Sequence, residues 1–364
     1  MNKASPATKS QQSLPPAGRA ENLAPDAGLG SFVLRLMRGH NMSRDEASLF
    51  LECLLDGAAT DGQIAAALVA LAMKGETVDE LIGTAAAMRS RAVRVKSCHE
   101  RFLDTAGTGS SAAKTFNVST AAALVIAGAG LPVAKHGNRA VTSRSGSSDV
   151  LTALGVRVNA TPEISETCLN KIGVCFMFAP LYHGTTARVA AIRRELGVRT
   201  IFNLLGPLTN PAGAPYQLVG VSSAALVEPI ALVLAGLGTR RAWVVHGSDG
   251  LDEVTLAGKT LVAEARDGNV RMFELTPDEF GLPCSSLDRL AGGDADASAG
   301  IIHEIFFGQR HDAARDLAIV NAAAGLLIGG MAKDLRGAAQ LAAASIDSGA
   351  AAEKLAELVK ATNA

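Results

Sequence analysis

Aromatic residues, cysteine and net charge are all scarce in this chain, and each scarcity excludes something. Only 4% of the 364 residues are aromatic, with one Trp and two Tyr, so packing rests on small aliphatic side chains and no aromatic platform for stacked bases is evident. The five cysteines, Cys53, Cys98, Cys168, Cys175 and Cys284, are odd in number and show no CxxC spacing, which argues against a disulfide framework or a thiolate zinc site and fits a reducing cytoplasm. Formal net charge is −1, without the basic excess or stripe of a nucleic-acid binder. Apolar runs are interrupted by Gly, Lys or Arg well short of the ~20 residues that span a bilayer, and the N-terminus lacks a basic-then-apolar signal pattern. These absences leave a cytoplasmic globular protein with neither nucleic acid nor membrane as partner. With 48% hydrophobic residues it is long enough for a large domain and a smaller one.

Residues 1–26 are rich in Ala, Ser, Pro and Gln without apolar periodicity, so burial cannot offset the entropy of ordering them; a disordered tail is expected. Residues 27–97 read as a helical domain: the runs LRLMRG, DEASLFLECLLDG and QIAAALVALAMKG each end in glycine, and VDELIGTAAAMRS follows. From 98 to 364 short β-like runs alternate with Ala-rich helical stretches, the pattern of a mostly parallel sheet covered by helices. The strands legible in this way are 102–105, 133–135, 174–178 and 243–246. A helix is expected over 182–197, and helices within 182–215 can rejoin the first helical set.

Four segments carry the candidate chemistry. In LDTAGTGSSAAKTFNVST a strand meets Gly107 and Gly109 and then a helix opening near residues 117–120; bare glycine backbone and a helix N-terminus make a phosphate cradle. A plain βα turn with an Asn or Ser cap fits GTG alone as well, and the hydroxyls of Thr115, Ser119 and Thr120 favour phosphate. In VAKHGNRAVTSRSGSSDVLTALG the loop presents Lys135, His136, Asn138 and Arg139, then Thr142, Ser143, Ser145 and Ser147. That density of donors between two apolar elements suits an anionic, polyhydroxylated ligand better than it suits a solvated loop. In WVVHGSDGLDEVT the adjacent Asp252 and Glu253 offer hard oxygen ligands for Mg²⁺, which takes few protein carboxylates and completes its shell with water and phosphate. From that segment alone, solvated carboxylates beside a turn capped by Asp249 are the more ordinary reading, and His246 reads as structural. The fourth, LYHGTTARVAAIRRELGVRTIFNLLGPLTNPAG, places Tyr182, His183, Arg188, Arg193 and Arg194 on or before a helix. One arginine facing a cleft can hold a carboxylate bidentately, while the others serve as ordinary surface charges.

Taken in this order, GTG…TFNVST, KHGNRAVTSRSGSSDVLTALG, FNLLGPLTNPAG and HGSDGLDE, together with LVALAMKGETVDEL, closely resemble the anthranilate phosphoribosyltransferases. The resemblance implies a small N-terminal helical domain plus a larger α/β domain of nucleoside phosphorylase/phosphoribosyltransferase type, joined as a homodimer through the helical part. It implies transfer of the phosphoribosyl group of phosphoribosyl pyrophosphate to anthranilate in tryptophan biosynthesis. By the same resemblance the phosphoribosyl donor contacts Gly107, Thr108, Gly109, Ser110, Ser111, Thr115, Asn117, Val118, Ser119 and Thr120, and also Lys135, His136, Gly137, Asn138, Arg139, Ala140, Val141, Thr142, Ser143 and Ser147. Anthranilate lies near Gly107, Asn138, His183 and Arg193, the arginine pairing with its carboxylate, and Ser119, Asp252 and Glu253 serve two Mg²⁺ ions. The sequence departs from the family at GTGSS, where GTGGD is usual, and at YHGTTA, where YHPAMK is usual.

The reaction so implied displaces pyrophosphate from the ribose C1, so positioning and electrostatics carry it. The amine of anthranilate is already neutral, no general base is assigned, and His136 is expected to bind or position. Two other readings stand beside this one: a pyrimidine nucleoside phosphorylase-like enzyme, which carries a different loop where KHGNR stands, and a non-catalytic nucleic-acid-binding relative, which lacks the DE pair and has a basic surface.

Overall fold

A computed structural model describes residues 28–109, 115–139, 145–286, 290 and 293–364. The expected tail and the loop residues Ser110, Ser111, Ala140, Val141, Thr142 and Ser143 lie outside the described residues.

The chain opens with four helices, α1 (Leu29–Met37), α2 (Arg44–Leu55), α3 (Asp61–Lys74) and α4 (Val78–Arg91). Local chemistry fixes their starts: Ser43 with Glu46, Thr60 with Gln63 and Thr77 with Glu80 form reciprocal capping boxes. Glycines 39, 57 and 75 end three of the helical runs in the left-handed region that favours glycine. Glu80 is fully buried, accepting from the Met42 and Thr77 amides at 2.9 and 2.8 Å and from Lys74 Nζ at 2.9 Å, so one carboxylate ties three segments together. At Gly83 the α2 and α4 backbones approach so closely that a Cβ would overlap the Arg44 carbonyl oxygen.

Alternation follows, through β1 (Leu103–Gly107), α5 (Val118–Gly128), β2 (Val133–Gly137), α6 (Ser147–Ala153), α7 (Pro162–Ile172) and β3 (Val174–Phe178). Short helices α8 (Ala179–Tyr182), α9 (Ala187–Leu196) and α10 (Phe202–Leu205) lead to β4 (Tyr216–Gly220), α11 (Val227–Gly236) and β5 (Arg241–Gly247). An edge hairpin, β6 (Thr260–Arg266) and β7 (Asn269–Leu275), precedes α12 (Ala295–Phe306), α13 (Ala313–Ile328), α14 (Leu335–Asp347) and α15 (Ala350–Asn363). The seven strands form one mixed sheet in the order β3-β2-β1-β4-β5-β6-β7, parallel from β3 to β5 and antiparallel across the hairpin. A mostly parallel sheet was expected and is found. The strands read from sequence are each present, the first shifted to Leu103–Gly107 and the others with longer or equal bounds, whereas β4, β6 and β7 were not read. The helix expected over 182–197 is two helices broken by a turn at Gly184–Thr186.

Side chains alternate across the sheet. Trp243 and Val245 face a core built with α5, α7 and α12 to α15, while Ala242 and Val244 face a second core shared by α11 and the N-terminal helices. Val189 and Ile192 of α9, Ile201, and Leu205 of α10 join that second core. α11 and α4 touch closely, and a Cβ at Gly236 would strike the Ile82 side chain. Among the described residues no helix is long and apolar enough to cross a membrane.

Candidate active site

In the order 3-2-1-4-5 the connections after β1 and β4 leave in opposite directions, and such a switch point leaves a crevice beyond the carboxyl ends of the strands. A cleft of about 200 Å³ opens there, between β1 and β4 on one side and the ends of α3 and α10 on the other; Thr108, Gly109, Glu76, Thr200, Asn203 and Ser222 are among its walls.

Gly107 and Gly220 are register partners at the ends of β1 and β4. Gly220 has no room for a side chain, since a Cβ there would overlap the Asp252 carbonyl oxygen, whereas one at Gly107 would press on Gly220 O at 3.3 Å and touch Asp252 Oδ2 in ordinary contact at 3.6 Å. Gly220 thus admits the Asp252–Glu253 turn over the sheet edge. Thr108 continues the ladder, its amide donating to Gly220 O at 2.9 Å while its hydroxyl accepts from the Ser222 amide at 3.2 Å. Gly109 takes φ 64°, a left-handed turn.

Behind this edge lies a charged cluster. Lys135, on β2 and buried, donates to the carbonyl and hydroxyl oxygens of Thr105 and to Ser119 Oγ, the hydroxyls both at 3.2 Å. Burial lowers its pKa against the pull of Asp104 and Glu253. Glu253 is pushed up to about 8 by burial and by Asp252 beside it, with Lys135 and the Ser119 amide opposing. Ser119, Lys135, Asp252 and Glu253, from three segments distant in sequence, therefore meet. Among the described residues no three His, Cys, Asp or Glu gather as a metal cage. The donor set still fits Mg²⁺, an ion that takes few protein carboxylates: two mutually repelling carboxylates stand beside Ser119.

The two donor-rich loops are joined. Asn117 stands at the N-cap of α5 without a side-chain capping bond, and its Oδ1 accepts from Ser145 Oγ at 3.3 Å. Val118 opens that helix and is buried, Thr115 Oγ1 donates to Phe116 O at 3.1 Å, and Thr120 Oγ1 is buried with no partner among the described residues. At Gly137 a Cβ would overlap Ser147 Oγ and meet the Phe176 ring at 2.7 Å, so the loop closes on the start of α6. Asn138 Oδ1 accepts from the Arg139 amide at 2.7 Å, and the Arg139 guanidinium lies 5.8 Å from the Phe178 ring centroid.

His136 and His183 stack edge to face with centroids 5.3 Å apart. His136 Nδ1 meets Gly206 O at 3.1 Å and His183 Nε2 meets Thr209 O at 3.2 Å; each carbonyl requires an N–H, which leaves His136 Nε2 as a buried bare acceptor. Burial, then the neighbouring His183, lowers His136 to about 3, and burial lowers His183 to about 4. Both are neutral imidazoles at pH 7. Arg193 of α9 reaches Asn203 Oδ1 at 3.1 Å.

The remaining sequence candidates are structural. Arg188 pairs with Asp61 at 2.6 Å, Tyr182 is buried, His246 Nδ1 meets Val221 O at 2.8 Å, and Asp249 accepts from the Thr255 hydroxyl at 2.7 Å as a turn cap. Sequence reasoning passed over Asp104, Asn203, Asn210 and Ser222. Asp104 is fully buried and pushed up to about 6 by burial, and it accepts from the His136 amide at 3.1 Å and Asn210 Nδ2 at 2.7 Å. Its signal was a lone carboxylate inside a strand; Asn210 lay hidden in a stretch that reads as a plain turn.

A mostly parallel sheet with a crevice at its switch point and a helical bundle packed over one face is the architecture of a glycosyl transferase family. Residues 99–352 match the α/β domain of a glycosyl transferase family, and residues 31–92 its helical bundle domain. An anthranilate phosphoribosyltransferase of Pelotomaculum thermopropionicum is 51% identical over 91% of this chain and 95% of its own. The crystal structure of the Thermus thermophilus anthranilate phosphoribosyltransferase superposes with TM-score 0.86 at 38% identity, covering 92% of this chain and 99% of that one. The Saccharomyces cerevisiae enzyme in complex with phosphoribosyl pyrophosphate and Mg superposes with TM-score 0.84 at 27% identity, covering 92% and 98%; the same yeast enzyme is also solved with 4-fluoroanthranilate. The chain belongs to the anthranilate phosphoribosyltransferase family. That membership decides against the nucleoside phosphorylase reading.

Proposed function

We propose that the chain transfers the phosphoribosyl group of phosphoribosyl pyrophosphate to the amine of anthranilate, giving N-(5-phosphoribosyl)anthranilate and pyrophosphate in tryptophan biosynthesis, with the residues above in the following roles. The observation that carries the assignment is the meeting of Lys135, Ser119, Asp252 and Glu253 at the glycine-edged ends of β1 and β4.

The donor lies along the α5 N-terminus and the 135–147 loop, where backbone amides, Asn117, Thr115 and Thr120 hold its phosphates and hydroxyls. Lys135, held beside Ser119, and the Gly109 turn are assigned to the departing pyrophosphate, where they stabilise the charge that grows on it. Asp252, Glu253 and Ser119 hold two Mg²⁺ ions, which neutralise charge on the leaving group. His183, Asn138 and Arg193 orient anthranilate, the arginine taking its carboxylate, and His136 positions as a neutral ring. The helical part, taken as residues 27–97 with the helices of 182–215, forms a homodimer; Leu34, Met37 and Met73 expose apolar surface on α1 and α3 in support of this. Free thiols throughout suit the cytoplasm.

The test is the fall in anthranilate fluorescence when protein meets phosphoribosyl pyrophosphate across a Mg²⁺ titration. The double variant Asp252→Asn, Glu253→Gln should be inactive while keeping its folded signal; full turnover by the variant removes these residues from the reaction.

A further inference from the structure

We propose that Asn203 is the positioning residue that sets the Arg193 guanidinium for carboxylate capture and so makes the acceptor site selective for an acid. The inference rests on the reading of Arg193 as the carboxylate anchor and names what holds it in place.

Arg193 stands in the last turn of the ten-residue helix α9, and a long side chain there has ample freedom unless something fixes it. Gly197, in the left-handed conformation, stops α9 and reverses the chain. Ten residues after Arg193 the short helix α10 returns Asn203 beside it. Asn203 Oδ1 accepts from Arg193 Nη2 at 3.1 Å and from the Thr200 amide at 3.0 Å, so the acceptor is itself held by backbone. Phe202 covers the guanidinium face, its ring centroid 5.3 Å from Cζ. One edge and one face of the cation are thus engaged. Nε is buried without a partner among the described residues, an unsatisfied charged donor beside the Nη2 that Asn203 holds. Asn203 and Thr200 also line the cleft beside Thr108 and Gly109, so this clamp borders the chamber in which the acceptor meets the donor.

A neutral amide is the right group for this task. It orients the guanidinium without neutralising it, whereas a carboxylate in its place pairs with the cation and competes with the substrate. The chemistry therefore separates two substitutions of similar shape. Asn203→Asp keeps the acceptor oxygen for Arg193 and Thr200, and with it the local fold; Asn203→Ala removes the acceptor.

The experiment measures the KM for anthranilate, the KM for phosphoribosyl pyrophosphate and the inhibition constant of 2-aminobenzamide, the neutral isostere, in both Asn203 variants and in Arg193→Gln. Loss of an oriented charge-assisted contact corresponds to a rise of about 10- to 100-fold in the anthranilate KM. Both Asn203 variants should show that rise, with the other two constants changed less than about twofold, a change too small to signify a lost contact. If Asn203→Asp binds anthranilate like the parent, Asn203 is only a structural residue and the proposal falls. If the two Asn203 variants weaken anthranilate and 2-aminobenzamide equally, the proposal also falls. Arg193→Gln tests the underlying reading separately: an unchanged anthranilate KM there overturns Arg193 as the anchor, while a raised KM with normal Asn203 variants overturns only the positioning role.

Discussion

The two stacked histidines should make the protein acid-sensitive while taking no part in the proton chemistry of turnover. His136 falls from an ordinary 6.5 to about 3 and His183 to about 4, chiefly through burial. In the unfolded chain both protonate near 6.5, so between that value and the folded ones the unfolded state binds more protons. Stability is therefore fully present above pH 6.5 and is lost as pH falls towards 4 and 3. At pH 5 the gap of about 1.5 units below the unfolded value amounts to about 2 kcal/mol for each ring. Asp104, raised to about 6, acts in the opposite sense, its contribution being lost as pH rises, so the wild-type slope alone is ambiguous. The perturbation that isolates the ring is His136→Asn, whose amide N–H replaces Nδ1–H opposite Gly206 O. Urea denaturation of both proteins from pH 7.5 to 5 should show the wild type losing about 2 kcal/mol more than the variant over that span. The pH–rate profiles, measured in parallel, should share their limbs, since a ring neutral throughout has no ionisation to lose. A stability difference that does not vary with pH, or an acid limb near 6.5 that disappears in the variant, would refute the reasoning.

Three further outcomes follow from the packing. Gly83→Ala, which at an ordinary helix position adds stability, should instead destabilise by about 1–3 kcal/mol, read as a lowered thermal midpoint, because the α2 backbone occupies the space a methyl needs. Asn210→Leu strips Asp104 of its 2.7 Å side-chain donor and should cost about 1–3 kcal/mol at pH 7.5, with the loss shrinking at pH 5 as the carboxyl protonates; a pH-independent loss contradicts the role. Gly220→Ala should abolish turnover in the fluorescence assay by displacing the Asp252–Glu253 turn, and retention of normal kcat would show that the turn can move without consequence.

Much of the framework was written locally. Capping boxes and glycine stops set the first four helices, and their positions follow from hydrogen bonds within a few residues. The alternation of apolar runs with helical stretches was enough for a mostly parallel sheet. The hairpin β6–β7 was also legible: Asp267 and Gly268, at φ 51° and 80°, form the paired positive-φ turn between alternating runs, although it was not read. The short strand β4 was not legible, since five residues of mild hydrophobicity acquire their conformation from pairing with β1 and β5.

The site divides in the same way. Sequence alone determined which loops carry donors and carboxylates, because residue type fixes what a group can bind. Only the tertiary structure decided which of them meet. Lys135 finds Ser119 and Glu253 because parallel strands bring their carboxyl ends to one edge, and Asp252 sits over that edge because Gly220 leaves no Cβ beneath it. The low pKa of His136 and the clamp on Arg193 have no counterpart in any local pattern. Burial and contact between segments distant in the chain create them, and a linear sequence states neither.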